Sequence, residues 1–178
     1  LSLQNIVSSL KEDLNKMFGL TTKQIDLLKE YYQKTTAIMQ EVDNQSIFDV
    51  KFGVYNQRYL IKSIQDEIKL IQNYSHISSL VLARVKDEVL DKIPNKKDRD
   101  VVVRNIAKLL LKTSRRSDIV AHFGDGIFAM VLKHTDIQSA KKACERISEL
   151  VYQTSFFVGE GEIETDIELS IIALDTEH

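Results

Sequence analysis

Tryptophan is missing from this chain, and proline and cysteine occur once each. A lone thiol, Cys144, cannot close an internal disulfide, which fits a reducing compartment and the expectation of a cytoplasmic location. Cys144 stands within an apolar helical pattern, where a buried structural thiol is expected. No apolar stretch approaches the roughly 18–20 residues that would cross a bilayer, and no signal-peptide pattern opens the chain. An excess of one charge is missing too. The 24 Lys and Arg stand against 26 Asp and Glu, a formal net charge of -2, with the signs interspersed. This excludes the basic groove of a nucleic-acid binder and a polybasic membrane anchor. His76, His122, His134 and His178 show no ligand spacing with cysteine or aspartate, so no metal centre and no cofactor are read from them. What is plentiful is apolar: 43% of the 178 residues are hydrophobic, enough for one cored domain plus an appendage. The chain opens on Leu1 and not on Met. This leads to the expectation of a piece of a longer protein, with any sensor or membrane segment outside it.

Residues 1–46 are predicted to be helical. Leu3, Ile6, Val7, Leu10, Leu14 and Met17 share one face, Gly19 ends that run, and Thr21-Thr22-Lys23-Gln24 has the form of a capping box. Ile25, Leu28, Tyr32, Thr35, Met39 and Val42 then alternate steps of three and four, the a/d seam of a coiled coil. Two arrangements satisfy that seam. One is self-association, as a homodimer or with a protein partner, and the other is a helical hairpin packed on its own chain. The domain boundary is placed here: a helical signalling and dimerisation segment over 1–46, and a second unit over 47–178.

From about Phe48 the pattern changes. Asn56 to Asn73 is amphipathic and helical, with Leu60, Ile61, Ile64, Ile68 and Ile71 on its apolar side. Ser78 to Val85 is a buried strand. Pro94 and Asn95 break the chain before a helix predicted over Asp98 to Thr113, with its acidic residues at the start where the macrodipole favours them. Asp118 to Phe123 and Ile127 to Leu132 are strands around Gly124-Asp125-Gly126, a strong hairpin signal. Ile137 to Gln153 is a further helix. Ser155 to Val158 and Ile167 to Ala173 are strands around the acidic loop Gly159 to Glu164. The order implies an α/β (α+β) domain with a largely antiparallel central sheet flanked by helices.

Three segments together resemble the GGDEF, or diguanylate cyclase, family over about residues 49–174. The opening Asp49-Val50-Lys51-Phe52-Gly53-Val54-Tyr55-Asn56-Gln57-Arg58-Tyr59-Leu60 is similar to the family's D-x-L-T-G-L-Y-N-R-R-Y-L, with Lys51 and Phe52 replacing its Leu and Thr. Ala121-His122-Phe123-Gly124-Asp125-Gly126-Ile127-Phe128-Ala129 falls where the family has A-R-Y-G-G-D/E-E-F-A. Between them, Ala83 to Asp100 aligns without a gap onto D-I-D-x-F-K-x-I-N-D…G-D. The family's closing helix and last strand have no counterpart before His178.

The resemblance implies a nucleotidyl-cyclase-like fold and a departure from the family's chemistry. In the family, two GTP-loaded domains meet and each 3′-hydroxyl attacks the other's α-phosphate, with carboxylates holding the bridging metal ions. The first metal-binding Asp aligns with Ala83, and the third and fourth motif positions align with Gly126 and Ile127. Asp87 and Glu88 replace a phosphate-cradling Phe-Lys pair and would repel a triphosphate. Gly124, Asp125, Gly126, Ile127 and Phe128 are thus a vestigial motif, with Asp125 read as a turn residue. Asp91 and Asp100 stand where the family reads guanine. Asp100 either accepts from a guanine edge or simply favours a helix N-terminus, and the second reading is preferred. Arg115-Arg116-Ser117-Asp118 keeps the R-x-x-D form and the register of the family's inhibitory site for cyclic di-GMP, and Arg146 aligns with a second arginine of that site. Arginine suits phosphate and guanine faces, and a carboxylate suits a guanine edge. An ordinary surface salt bridge between Arg115 and Asp118 explains the same residues equally well. The expectation is a catalytically inactive signalling domain acting by protein contact, with cyclic di-GMP binding at Arg115, Asp118 and Arg146 as its sharper form. The alternative is a residual GTP-binding regulator or weak cyclase.

Overall fold

Asn56 ends an extended segment, and its side chain accepts from the Tyr59 amide at 3.0 Å. Such a cap contributes about 1 kcal/mol and fixes where the first helix begins. That helix, α1 (Gln57–Tyr74), stops where Ser75 turns left-handed at φ 51°. In the computed structural model, residues 47–174 are described. The expectations for residues 1–46 and for His178 lie outside the described residues.

The remaining elements are β1 (Phe48–Asp49), β2 (Val54–Tyr55), β3 (Ser78–Val85), α2 (Asp87–Asp91), α3 (Lys96–Thr113), β4 (Ile119–Gly124), β5 (Ile127–Lys133), α4 (Ile137–Gln153), β6 (Phe156–Val158), β7 (Gly161–Ile163) and β8 (Ile167–Leu174). One sheet runs in the order β1-β2-β4-β5-β3-β8, and β6 and β7 form a separate ribbon. Only the β2–β4 contact is parallel; all other pairings are antiparallel.

The sheet is covered on both faces, which explains why its central strands read as continuous apolar runs. Side chains alternate along a strand. Leu80 and Leu82 of β3, with Ala129 and Val131 of β5, therefore join Leu60, Ile64, Ile68 and Ile71 of α1. Their neighbours Val81, Ala83, Phe128 and Met130 join Ile106 and Leu110 of α3 and Cys144 and Ile147 of α4. Each large side chain buried this way stabilises the fold by about 1.5–3 kcal/mol.

Several boundaries differ from the sequence expectation. Helix α3 begins at Lys96, because the Asn95 side chain caps it by accepting from the Lys97 amide at 2.8 Å. Asp98 is therefore in the first turn, and Asp100 lies beyond it. The preference for Asp100 as a helix-start residue is thereby corrected. Elements α2, β1, β2 and β7 are additional to those predicted; each is too short to carry a periodicity.

Candidate functional site

The β4–β5 hairpin turns through Asp125 and Gly126, both at positive φ, 51° and 74°. This is the backbone of a tight hairpin turn, which an Asp-Gly pair adopts at low cost. A Cβ built on Gly126 would stand 3.4 Å from Leu90 Cδ1 and 3.9 Å from both Val103 Cγ2 and Val85 Cβ. Its carbonyl accepts from the Val85 amide at 3.1 Å. The turn therefore lies on apolar side chains from β3, α2 and α3. Ala83, Ile127 and Phe128 are buried in the core, while Asp125 is exposed. Ala83, Gly126 and Ile127 offer no side-chain oxygen to a hard cation, so their side chains do not fit a magnesium site. Asp87 and Glu88 open α2, and Asp91 is its exposed last residue.

The loop before β2 packs onto the same end of the sheet. Asp49 Oδ1 accepts from the Lys51 and Phe52 amides at 3.1 and 3.3 Å, and Asp49 Oδ2 is 2.9 Å from His122 Nδ1. Burial holds the His122 ring below the usual imidazole range, although the bond to Asp49 pulls the other way. The ring is thus neutral near pH ~7, with its proton assigned to Nδ1 so that it donates to the carboxylate. Phe52 is buried against His122 and Phe128, with ring centroids at 4.5 and 6.2 Å. Lys51 Nζ reaches Asp100 Oδ2 at 2.9 Å, and the Lys51 carbonyl accepts from Arg104 Nε at 3.0 Å. The two residues that depart from the opening motif thus cover this end of the sheet, one of them by pairing with Asp100.

A second region is built where α3 hands over to β4. After the helix ends at Ser114, the chain turns from Arg115 to Asp118, whose amide donates to the Arg115 carbonyl at 3.0 Å. Asp118 Oδ2 accepts from the Arg115 amide at 2.9 Å and from Arg115 Nε at 3.3 Å. Arg115 Nη2 donates to Asp118 Oδ1 at 3.1 Å, to the Lys133 carbonyl at 2.8 Å and to Thr135 Oγ1 at 2.7 Å. The Asp118 side chain is only 4% exposed and that of Arg115 is 57% exposed. The carboxylate is therefore an internal anchor, and the guanidinium is the member of the pair that meets solvent.

Arg115, Asp118 and Thr135 line a cleft of about 230 Å³ together with Ser139, Lys142 and Arg146 of α4. Helical spacing puts Ser139, Lys142 and Arg146 on one face. Arg146 and Lys142 are exposed, so the cleft gathers positive charge opposite Arg115. The structure thus brings Arg115, Asp118 and Arg146 together, and it also contains the salt bridge of the competing reading. Lys142, Ser139 and Thr135 were not anticipated. The step of four from Lys142 to Arg146 was the available signal.

A helix-flanked, mostly antiparallel sheet with a tight glycine hairpin beside a short helix is the class of domain that these observations define. The family model described as diguanylate cyclase, GGDEF domain, matches residues 46–177. The chain belongs to that family. A curated relative, the probable diguanylate cyclase DgcJ of Escherichia coli (strain K12), is 23% identical over 113 residues, which are 63% of this chain and 23% of the relative. The chain thus spans about a quarter of that relative's length. Among solved structures, the FimX GGDEF domain from Pseudomonas aeruginosa superposes with a TM-score of 0.71 at 19% identity, over 75% of this chain and 83% of that one. The GGDEF domain of DgcB from Caulobacter crescentus in complex with c-di-GMP superposes at 0.66 with 13% identity, over 74% and 77%. These likenesses establish the fold. Among the described residues, no helix is long and apolar enough to cross a membrane.

Proposed function

We propose that this chain is a GGDEF domain that makes no cyclic di-GMP and instead binds it, acting by contact with a protein partner or a second copy. One observation carries the loss of synthesis. By the resemblance, the metal-holding positions are Ala83, Gly126 and Ile127, and the apolar packing around them leaves no carboxylate to hold a cation. The ion pair of Lys51 with Asp100 and the burial of Phe52 support the same reading at the guanine end.

The binding half rests on the cleft. Cyclic di-GMP carries phosphates and guanine faces. The exposed Arg115 guanidinium can stack on a base or donate from its remaining edge, while Lys142 and Arg146 meet phosphate charge. Asp118 contributes by holding Arg115. The experiment is paired. Incubation with GTP and magnesium or manganese should give no product above a no-protein control, and calorimetry with cyclic di-GMP should show saturable binding. Product formation would make the chain a cyclase. Binding of GTP but not of cyclic di-GMP would make it a nucleotide-regulated domain.

A further inference from the structure

The two edges of the central sheet differ. One ends on β1, a strand of 2 residues. The other is β8, with 8 residues, and among the described residues it pairs with β3 alone. That pairing is antiparallel and unbroken from Ile167 opposite Val85 to Leu174 opposite Ser78. One step beyond it, the Lys86 amide donates to the Asp166 carbonyl at 3.1 Å. Alternate residues of an antiparallel strand turn their backbone groups to the same side. Even-numbered residues from Asp166 to Leu174 therefore face β3, and Ile167, Leu169, Ile171 and Ala173 turn their amides and carbonyls outward. The Ile167 amide is taken by Asp166 Oδ1 at 2.9 Å. Leu169, Ile171 and Ala173 remain, a row of edge groups of the kind that templates another strand. Natural edges are guarded by proline, lysine, a bulge or a covering element. From Leu169 to Ala173 there is no proline, no charge and no register shift. Leu169 and Ile171 are half-buried against the layer of α3 and α4, and Ile172 is half-buried against that of α1.

We propose that β8 is a self-association edge, which pairs antiparallel with β8 of a second copy about a two-fold axis at Ile171. This rests on the reading that the chain acts by contact and commits that contact to a second copy; it needs neither cyclic di-GMP nor residues 1–46. A two-fold axis perpendicular to the sheet keeps every side chain on its own face. Centred on Ile171, it sets Ile171 opposite its own counterpart and Leu169 opposite Ala173 of the second copy. The residues with free amides are symmetric about Ile171, so each amide meets a carbonyl and none is left over. Leu169 and Ile171 carry one apolar layer across the joint, and Ile172 carries the other. Glu168, held by Arg84 at 3.1 Å, comes opposite Leu174, so no like charges face each other. An unrelated strand would use the same backbone bonds, but the symmetry of the free groups favours a second copy. A joint one strand wide is small, and it forms by mass action at high concentration.

Amide exchange in the full, unaltered chain reads the edge directly. Between roughly 5 and roughly 500 µM, exchange at Leu169, Ile171 and Ala173, resolved by mass spectrometry, should slow about tenfold. Ser170 and Ile172, already bonded to β3, should show no such dependence. A second measurement fixes the register. Bonded residues directly opposed across antiparallel strands stand about 5.5 Å apart at Cα, within disulfide reach. Ile171→Cys should therefore cross-link two chains under mild oxidation. In Leu169→Cys the two thiols would be about 13 Å apart along the strands, so cross-linking should be at least about tenfold slower. Cys144 is buried and does not compete. Exchange at the edge amides that ignores concentration would overturn the pairing. If light scattering still gave a dimer, contact with a second copy would stand and lie elsewhere; a monomer throughout would remove both. Equal cross-linking at the two positions, or none at Ile171, would overturn the two-fold joint.

Discussion

Arg115 and Asp118 differ in exposure, yet removing either breaks the same pair. Arg115→Ala deletes a charge-assisted contact of about 1.5–3 kcal/mol, so cyclic di-GMP binding should weaken by about ten- to a hundredfold. Unfolding free energy should fall as well, by about 1–3 kcal/mol, because the buried Asp118 carboxylate loses its guanidinium partner. Asp118→Ala should weaken binding too, through a released arginine. It should also cost about 1–3 kcal/mol of stability, because the Arg115 amide loses its acceptor. Calorimetry and urea unfolding of both variants check this, and an unchanged affinity or an unchanged stability in either would refute it. His122 makes a different prediction at this scale. Burial lowers its pKa, so below about pH 6.5 the unfolded chain takes up the proton before the folded one. Stability from this group is therefore lost as pH falls through that value. Urea unfolding of His122→Gln should show a shallower acid slope than the unaltered chain.

Helices and long strands were legible in the sequence because each leaves a periodicity or a cap. Helix α4 was predicted over its observed range, from an apolar stripe that now packs Ala140, Cys144, Ile147 and Val151 into the core. Helix α3 starts two residues before the expected Asp98 because the Asn95 side chain caps it, and a cap asparagine after a proline looks the same in sequence as a loop residue. Strands β1, β2 and β7 carry two or three residues each, too few for alternation to register. The ion pair of Lys51 with Asp100 was invisible for another reason: it joins a loop to a helix far along the chain, and only the tertiary fold brings them together. The same limit applied to the cleft, whose Arg115 and Arg146 were named from register, while the contribution of Thr135 depends on how β5 ends. Helix α4 also supplies a test. Burial pushes the Cys144 thiol up to about 11, and only the thiolate reacts readily. Thiol reagents should label the folded chain slowly at pH ~8 and rapidly in denaturant. Above pH ~9 the unfolded thiol ionises first, so this group makes stability fall as pH rises further.

At the scale of the whole molecule, the seam read from Ile25 to Val42 leads to a proposal about assembly. If residues 1–46 pair two chains, light scattering should give a dimer, and Ile25→Glu or Met39→Glu should shift it to monomer by placing a charge in an apolar seam. A monomer at high concentration before substitution would refute the pairing. The hairpin at Asp125 and Gly126 limits what this end of the molecule can hold. A carboxylate at position 126 would demand a side chain at φ 74°, with its Cβ in ordinary contact with Leu90 at 3.4 Å. Backbone strain of that kind costs about 1–3 kcal/mol. Gly126→Glu should therefore lower the unfolding free energy by that order without creating a cation site, as urea unfolding and magnesium titration can report. The corner is thus governed by its backbone: the left-handed turn at 126 asks for glycine, and a longer side chain there is strained before it can reach toward a cation.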